Sequence, residues 1–241
     1  MWTNQMLKSN AKQFFMKNYW PCVGVALVLQ FLGNSNAGSA VNLNFEFEHV
    51  QAEYTGMGAA EHFPNIGILL VAGMLVLIVA VIAVLFTVFI ANVVIVGGNR
   101  FFIKNRTETP AAGLLFGGFN NGCYKNIVKT MFFAELYIFL WSFLLIIPGI
   151  VKAYEYMMVP FILAENPAMD KDDVLALSKK MMTGEKWDAF VLGLSFFGWY
   201  LLSAVTCGIV GIFYVSPYAK ATFTELYIYN RGKAYQEGYI H

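Results

Sequence analysis

Five ionisable side chains fall inside apolar stretches: Glu135, Lys152, Glu155, Lys220 and Glu225. A charge in hydrocarbon is costly, so such residues face a bundle interior or a wet cavity and mark ion, proton or substrate paths. Lys152 and Glu155 stand i,i+3 and can pair on one helix face. A plainer reading is available for Glu135 and Lys152. Both sit within two or three turns of a segment end, where a long side chain reaches the headgroups. Five helix-breaking residues accompany this set: Pro148, Gly149, Pro160, Gly208 and Pro217. Gly149-Ile150-Val151 and Gly208-Ile209-Val210 each start the last helix of a hairpin, and each is followed by a proline. That is a weak internal repeat. Broken helices free backbone groups that can bind ions or substrates at membrane depth. In a purely structural bundle, local adjustment and Ser or Thr side chains satisfy the same groups.

Other chemistries find little footing. His49 and His62 share a stretch with Glu46, Glu48, Glu53 and Glu61, but their spacing converges on no ligand set, and a metal needs three or four ligands. Cys22, Cys123 and Cys207 match no CxxC or zinc pattern. Gly97-Gly98-Asn99 and Gly117-Gly118-Phe119 lack a Walker lysine or a dinucleotide pattern, and read as a helix stop and a flexible joint. No Gly-x-Ser-x-Gly, His-Glu-x-x-His or serine triad in chain order is present, and Ser178-Lys179 does not have the Ser-x-x-Lys spacing. Asn105-Arg106-Thr107 forms a glycosylation sequon, inert on the cytoplasmic side to which the charge pattern assigns it. The chain is therefore expected not to be an enzyme and to need no cofactor or metal.

The elements that must position these residues are apolar. The chain has 241 residues, 58% hydrophobic and only 13% charged, against about 25% in ordinary soluble domains. Its net charge of +1 lacks the basic footprint of a nucleic-acid binder. Segment one covers about 14–32, after a short amphipathic helix in which Met6, Leu7, Ala11, Phe14 and Phe15 recur at helical spacing. That helix lies along the membrane surface or extends segment one into the cytoplasm. Gln30-Phe31-Leu32 offers no small-residue cleavage site, so segment one is expected to be retained. Segment two runs over 66–96 without a charge, about 46 Å of helix against a hydrocarbon core of about 30 Å. Segment three covers 127–147 and ends in a tight turn at Pro148-Gly149. Segments four (150–163) and five (190–205) are short for the usual ~20-residue span. Segment six, over 209–229, is interrupted at Ser216-Pro217.

The expectation is an all-α, polytopic transmembrane helical bundle of about six membrane segments, two of them short or broken, forming one integral membrane domain over 1–241. Lysine and arginine flank segments one, two, four and six, while 34–65 carries neither. By the positive-inside rule both termini are cytoplasmic and 34–65 is an extracytoplasmic loop, with a short strand or extended piece over 41–48. Residues 165–187 form a cytoplasmic loop holding a short helix, capped by Asp170, striped by Val174, Leu177, Met181 and Met182, and ended by Gly184.

Several pieces taken together resemble one family. They are Leu7-Lys8, Asn18-Tyr19-Trp20, Gly98-Asn99-Arg100-Phe101-Phe102, Phe116-Gly117-Gly118-Phe119 and Ile147-Pro148-Gly149-Ile150-Val151-Lys152-Ala153-Tyr154. Phe161-Ile162-Leu163-Ala164-Glu165-Asn166-Pro167, Ser178-Lys179-Lys180-Met181-Met182-Thr183-Gly184, Leu194-Ser195-Phe196-Phe197-Gly198-Trp199 and Pro217-Tyr218 complete the set. The chain resembles the DUF975 family of bacterial integral membrane proteins of unknown function. The resemblance implies a multi-helix bundle in the inner cell membrane and no particular reaction.

The expected function is a structural, assembly or interaction component of the cell membrane; the alternative is a carrier or channel for a small solute or lipid. Expected partners are membrane lipids and other membrane proteins at the cytoplasmic face, with no nucleic acid. The charge pattern makes one direct prediction. In a cysteine-free background, Glu53→Cys should react with an impermeant thiol reagent in intact cells, while Lys104→Cys and Lys180→Cys should react only after lysis. Labelling at position 104 in intact cells would overturn the six-segment arrangement.

Overall fold

A computed structural model describes residues 2–32, 66–120 and 122–240. The expected outer loop over 34–65, with its short strand, His49 and His62, lies outside the described residues. Among the described residues the fold is all-α, with no strand.

Thr3 starts the first helix, α1 (Asn4–Lys17), by accepting the Met6 N–H at 3.2 Å. Leu7, Ala11 and Phe15, four residues apart, are its buried stripe. The helix breaks at Asn18, and the apolar α2 (Tyr19–Leu32) follows with Pro21 in its first turn. Segment one is thus two helices, parted four residues inside the expected span.

Segment two is longer than expected. Helix α3 (Ile66–Phe86) passes through a π turn at Thr87–Ala91 straight into α4 (Asn92–Lys104). Gly97-Gly98-Asn99 does not stop it. The reason is packing: a Cβ on Gly97 would lie 2.0 Å from the Leu115 carbonyl oxygen, and one on Gly98 would lie 2.6 Å from Leu29 Cδ1. These glycines let the chain at Leu114–Leu115 and helix α2 press on α4. Gly118, read as part of a flexible joint, is likewise buried in a single helical turn at Gly117–Asn120, where a Cβ would meet Val93 Cγ1 at 2.7 Å.

Helix α5 (Tyr124–Leu144) buries Ile127, Thr130, Met131 and Ala134. The turn into α6 (Ile146–Glu155) falls at Leu145, whose φ −156° and ψ 140° are extended, and not at Pro148-Gly149. Pro148 sits in the first turn of α6, where its missing N–H removes a donor with no intrahelical partner. Gly149 faces Ser142 on the other arm; a Cβ would lie 2.1 Å from Ser142 Oγ.

Segment four is also split. Helix α6 ends at Tyr156, and α7 (Val159–Glu165) begins with Pro160 in its first turn. Asp170 caps α8 (Lys171–Met181) by accepting the Asp172 N–H at 3.1 Å, and that bond holds its carboxyl below the usual range. Helices α9 (Lys186–Leu194) and α10 (Phe197–Val205) part at Ser195-Phe196.

Cys207 and Gly208, with φ of 50° and 84°, turn the chain into a second π turn at Gly211–Val215. Helix α11 (Ser216–Gln236) continues from it, so Ser216-Pro217 does not interrupt the segment. A proline denies its i−4 carbonyl a partner. Here that carbonyl, on Phe213, accepts the Tyr19 hydroxyl at 3.0 Å. At the first π turn the Tyr124 hydroxyl donates to the Phe89 carbonyl at 2.9 Å.

The two hairpins share a closure. Gly211 meets Ser203 as Gly149 meets Ser142, since a Cβ on Gly211 would lie 2.2 Å from Ser203 Oγ. The repeat is therefore in register at Gly149 and Gly211, three residues from the Gly149–Gly208 alignment read in the sequence.

Two buried clusters hold the helices. One joins Leu7 of α1 with α4, α5, α7, α8, α9 and the second half of α11; the other joins Ala11 and Phe15 of α1 with α2, α4 and the first half of α11. Gly97 tests this packing. Alanine in a helix interior is favoured over glycine by about 0.5–1 kcal/mol, but overpacking against backbone costs about 1–3 kcal/mol. Gly97→Ala should lower the thermal midpoint of the detergent-purified protein by several degrees. Gly113→Ala, with open space around its Cβ, should leave it unchanged.

Candidate functional site

The charged residues gather into ties between helices. Glu155, buried on α6, accepts Lys152 Nζ through Oε2 and Lys186 Nζ through Oε1, each at 2.6 Å. Its backbone carbonyl accepts the Ser178 hydroxyl at 2.7 Å, so α6, α8 and α9 meet at one residue. Lys152 also lies 5.5 Å from the Trp141 ring centroid.

Three further carboxylates do the same work elsewhere. Glu165 on α7 accepts the Tyr227 hydroxyl at 2.6 Å and pairs with Arg231, both on α11. Glu185, just before α9, accepts Trp2 Nε1 at 2.7 Å and Lys233 Nζ at 3.0 Å, tying the N-terminus to α11. Glu225, buried on α11, takes Arg106 Nε at 2.5 Å, and that guanidinium lies 5.4 Å from the Phe14 ring centroid on α1. The Glu185 carboxylate raises the Lys233 pKa above the usual lysine value. The stabilisation from that shift is complete below the ordinary lysine range and fades only as pH climbs through the raised value.

Glu135 stands apart. It faces Asn92, the first residue after the α3–α4 π turn. Both polar atoms of the Asn92 carboxamide are buried without a hydrogen-bond partner among the described residues, as are Glu135 Oε1, Thr130 Oγ1 and Asn99 Nδ2. Each such group costs about 1–3 kcal/mol if left dry. π turns recur at functional positions in helices, and this one sets the direction of Asn92. Lys220 is half-buried on α11 and makes no ion pair among the described residues.

The five sequence candidates therefore do not form one centre. Lys152 and Glu155 come together, Glu225 joins Arg106, Glu135 faces Asn92 without a hydrogen bond to it, and Lys220 is separate. Of the helix breaks, Pro148 and Pro160 lie in first turns just after the actual breaks, Pro217 sits where a π turn runs on into α11, Gly149 is an interhelical contact, and Gly208 is in the left-handed turn. The sequence reading missed Lys186, Arg106 and Arg231, which had counted only as loop charge, and Asn92, a lone amide in an apolar run. Glu165, Glu185 and Lys233 carried no local signal either. No group of three metal-ligating side chains occurs among the described residues.

The shared carboxylate changes what mutation should do. With two lysines on Glu155, Lys152→Met leaves one partner and should cost about 1 kcal/mol. Lys152→Met with Lys186→Met strands a buried carboxylate, at about 3–5 kcal/mol, toward the low end because Lys186 is partly exposed. Adding Glu155→Gln should recover much of that loss. Thermal unfolding of the purified variants as a mutant cycle measures the coupling; additive lysine losses would reject a shared carboxylate.

The family described as "Protein of unknown function (DUF975)" matches residues 4–232. No curated protein and no solved structure matches the chain. Four helical stretches among the described residues are long and apolar enough to cross a membrane: Gly73–Lys104, Tyr124–Leu144, Ile146–Glu165 and Lys186–Val205. With a match over nearly its whole length and these helices, the chain is a membrane protein that belongs to the DUF975 family.

Proposed function

We propose that the protein is a structural, assembly or interaction component of the inner cell membrane, multi-pass, with both termini in the cytoplasm. The observation that carries this reading is the use made of the charged residues. Glu155, Glu165, Glu185 and Glu225 are each spent on fixing one helix or terminus to another. A group that catalyses must exchange partners during turnover, and four carboxylates saturated by lysine, arginine, tyrosine and tryptophan are set for rigidity. The protein is accordingly no enzyme in this reading. Its partners are membrane lipids around the apolar helices and other membrane proteins on the face formed by α1, α8 and α11. That face carries exposed lysines, among them Lys12, Lys179 and Lys180.

A carrier or channel for a small solute or lipid is the second reading. It is favoured by the unpartnered Asn92 carboxamide facing the Glu135 carboxyl, just after a π turn that follows a long apolar helix.

One pair of measurements separates the two. The purified protein, reconstituted in liposomes, is assayed for proton, sodium and amino-acid flux, and the protein crosslinked in cells is assayed for co-purifying membrane proteins. The structural reading expects flux equal to empty liposomes, and partners that are lost on Lys179→Glu with Lys180→Glu. Saturable flux that disappears in Glu135→Gln would overturn it in favour of the carrier.

A further inference from the structure

The turn between α5 and α6 is apolar and uncovered. Phe143 is 85% exposed, Ile146 77% and Ile147 76%, and Leu144 and Leu145 are exposed as well. No polar side chain interrupts Phe143–Pro148, and the nearest one, Ser142, is tucked against Gly149. A hairpin that crossed the bilayer would present its turn to the far headgroups, where Trp, Tyr and polar residues collect; here Trp141 and Lys152 meet on the arms below the turn, and the turn itself carries none.

Two charged markers show how far the turn can reach. On the outgoing arm, Lys171 Nζ lies 4.6 Å from the Phe133 ring centroid and 2.6 Å from Asp172 Oδ1. The Asp172 side chain is 75% exposed, so this level of α5 is at water or headgroups. From Phe133 to Leu144 the helix extends only ~17 Å at ~1.5 Å per residue. On the returning arm, Glu155 is tied to Ser178, whose neighbours Lys179 and Lys180 are exposed. From Glu155 back to Ile146 is ~14 Å. These are upper limits on depth, since tilt only shortens them, and both are about half of the ~30 Å hydrocarbon core.

From these two limits we infer that the α5–α6 hairpin is re-entrant: it enters and leaves on the side where α8 lies, and its turn packs on the acyl chains of that one leaflet. The backbone suits such a place. The Leu145 N–H donates to the Trp141 carbonyl at 3.1 Å, and the Leu145 carbonyl accepts the Gly149 N–H at 3.3 Å. Pro148 removes a first-turn donor that no water would reach. Length and composition alone qualify both arms as spans, and the positive-inside pattern is the same for a crossing and a re-entrant hairpin, because each returns the chain to its starting side.

The test uses the full chain with Cys22, Cys123 and Cys207 replaced, carrying one cysteine at Phe143, Ile147 or Asp173. Intact cells and everted vesicles are treated with an impermeant maleimide. Asp173→Cys reports the side on which α8 lies. Phe143→Cys and Ile147→Cys should stay unlabelled from both sides and label fully in detergent. The same sites carrying bimane, reconstituted in vesicles, should be quenched at least twofold more by mid-chain nitroxide lipid than by headgroup nitroxide. Labelling from the face opposite position 173 shows a crossing hairpin, and labelling from the same face shows a turn in water; either overturns the inference. Ile147→Glu in the otherwise native chain serves if the cysteine-free background fails to accumulate. A turn in hydrocarbon predicts a several-fold drop in membrane-inserted protein, whereas unchanged accumulation rejects it.

Discussion

Glu155 is where three separate stretches of chain are forced to agree. Its carboxylate is buried, and a buried carboxylate stripped of partners costs several kcal/mol, so the positions of Lys152 and Lys186 are not free once Glu155 is placed. Lys186 is the first residue of α9, and fixing it fixes where the α9–α10 arm leaves the bundle. Ser178, bonded to the carbonyl of the same residue, fixes α8 beneath it. Glu165, Glu185 and Glu225 repeat the device around α11, which thereby contacts α7, the N-terminus and the end of α4 through charge as well as packing. In a protein whose outer surfaces are apolar, hydrophobic burial alone gives little preference for one helix arrangement over another, because lipid satisfies the same side chains. Polar ties then supply orientation.

The sequence carried the large features legibly. Runs of apolar residues gave the helices, and Asp170 and Gly184 marked a local start and stop by chemistry that acts within four residues. What it concealed was set by contacts distant in sequence. Gly97 and Gly98 look like a helix stop until Leu115 and Leu29 are known to press there. Pro148 looks like a turn, although proline is compatible with a first helical turn, and the actual break at Leu145 has no breaker residue at all. The Lys152–Glu155 pair was legible because i,i+3 spacing is local, whereas Lys186 lies 31 positions from Glu155. The five ionisable candidates stand out by lying in apolar stretches, but nothing in the spacing could say that they belong to different places.

The two hairpins show how small residues set geometry in such a bundle. Ser142 with Gly149, and Ser203 with Gly211, let the arms approach closely, since a methyl group at either glycine would overlap the serine. Tyrosine hydroxyls serve the π turns in a comparable way. Tyr124 and Tyr19 reach carbonyls in the turns at Thr87–Ala91 and Gly211–Val215, and the second of these carbonyls is one that Pro217 leaves unpaired.

Helix α3 stands almost alone. Its described side chains are exposed along its length, and it joins the rest of the protein through the π turn at Thr87–Ala91. Its 21 residues make a rod of about 32 Å, close to the thickness of a hydrocarbon core. No neighbour among the described residues packs along it. Hydrophobic mismatch is relieved by tilt at a fraction of a kcal/mol per ångström, and the turn at its base is where that tilt is absorbed. A thinner bilayer lays the rod over while α4 stays clamped between α2 and the chain at Leu115, which gives the protein one part that follows membrane thickness and another that does not.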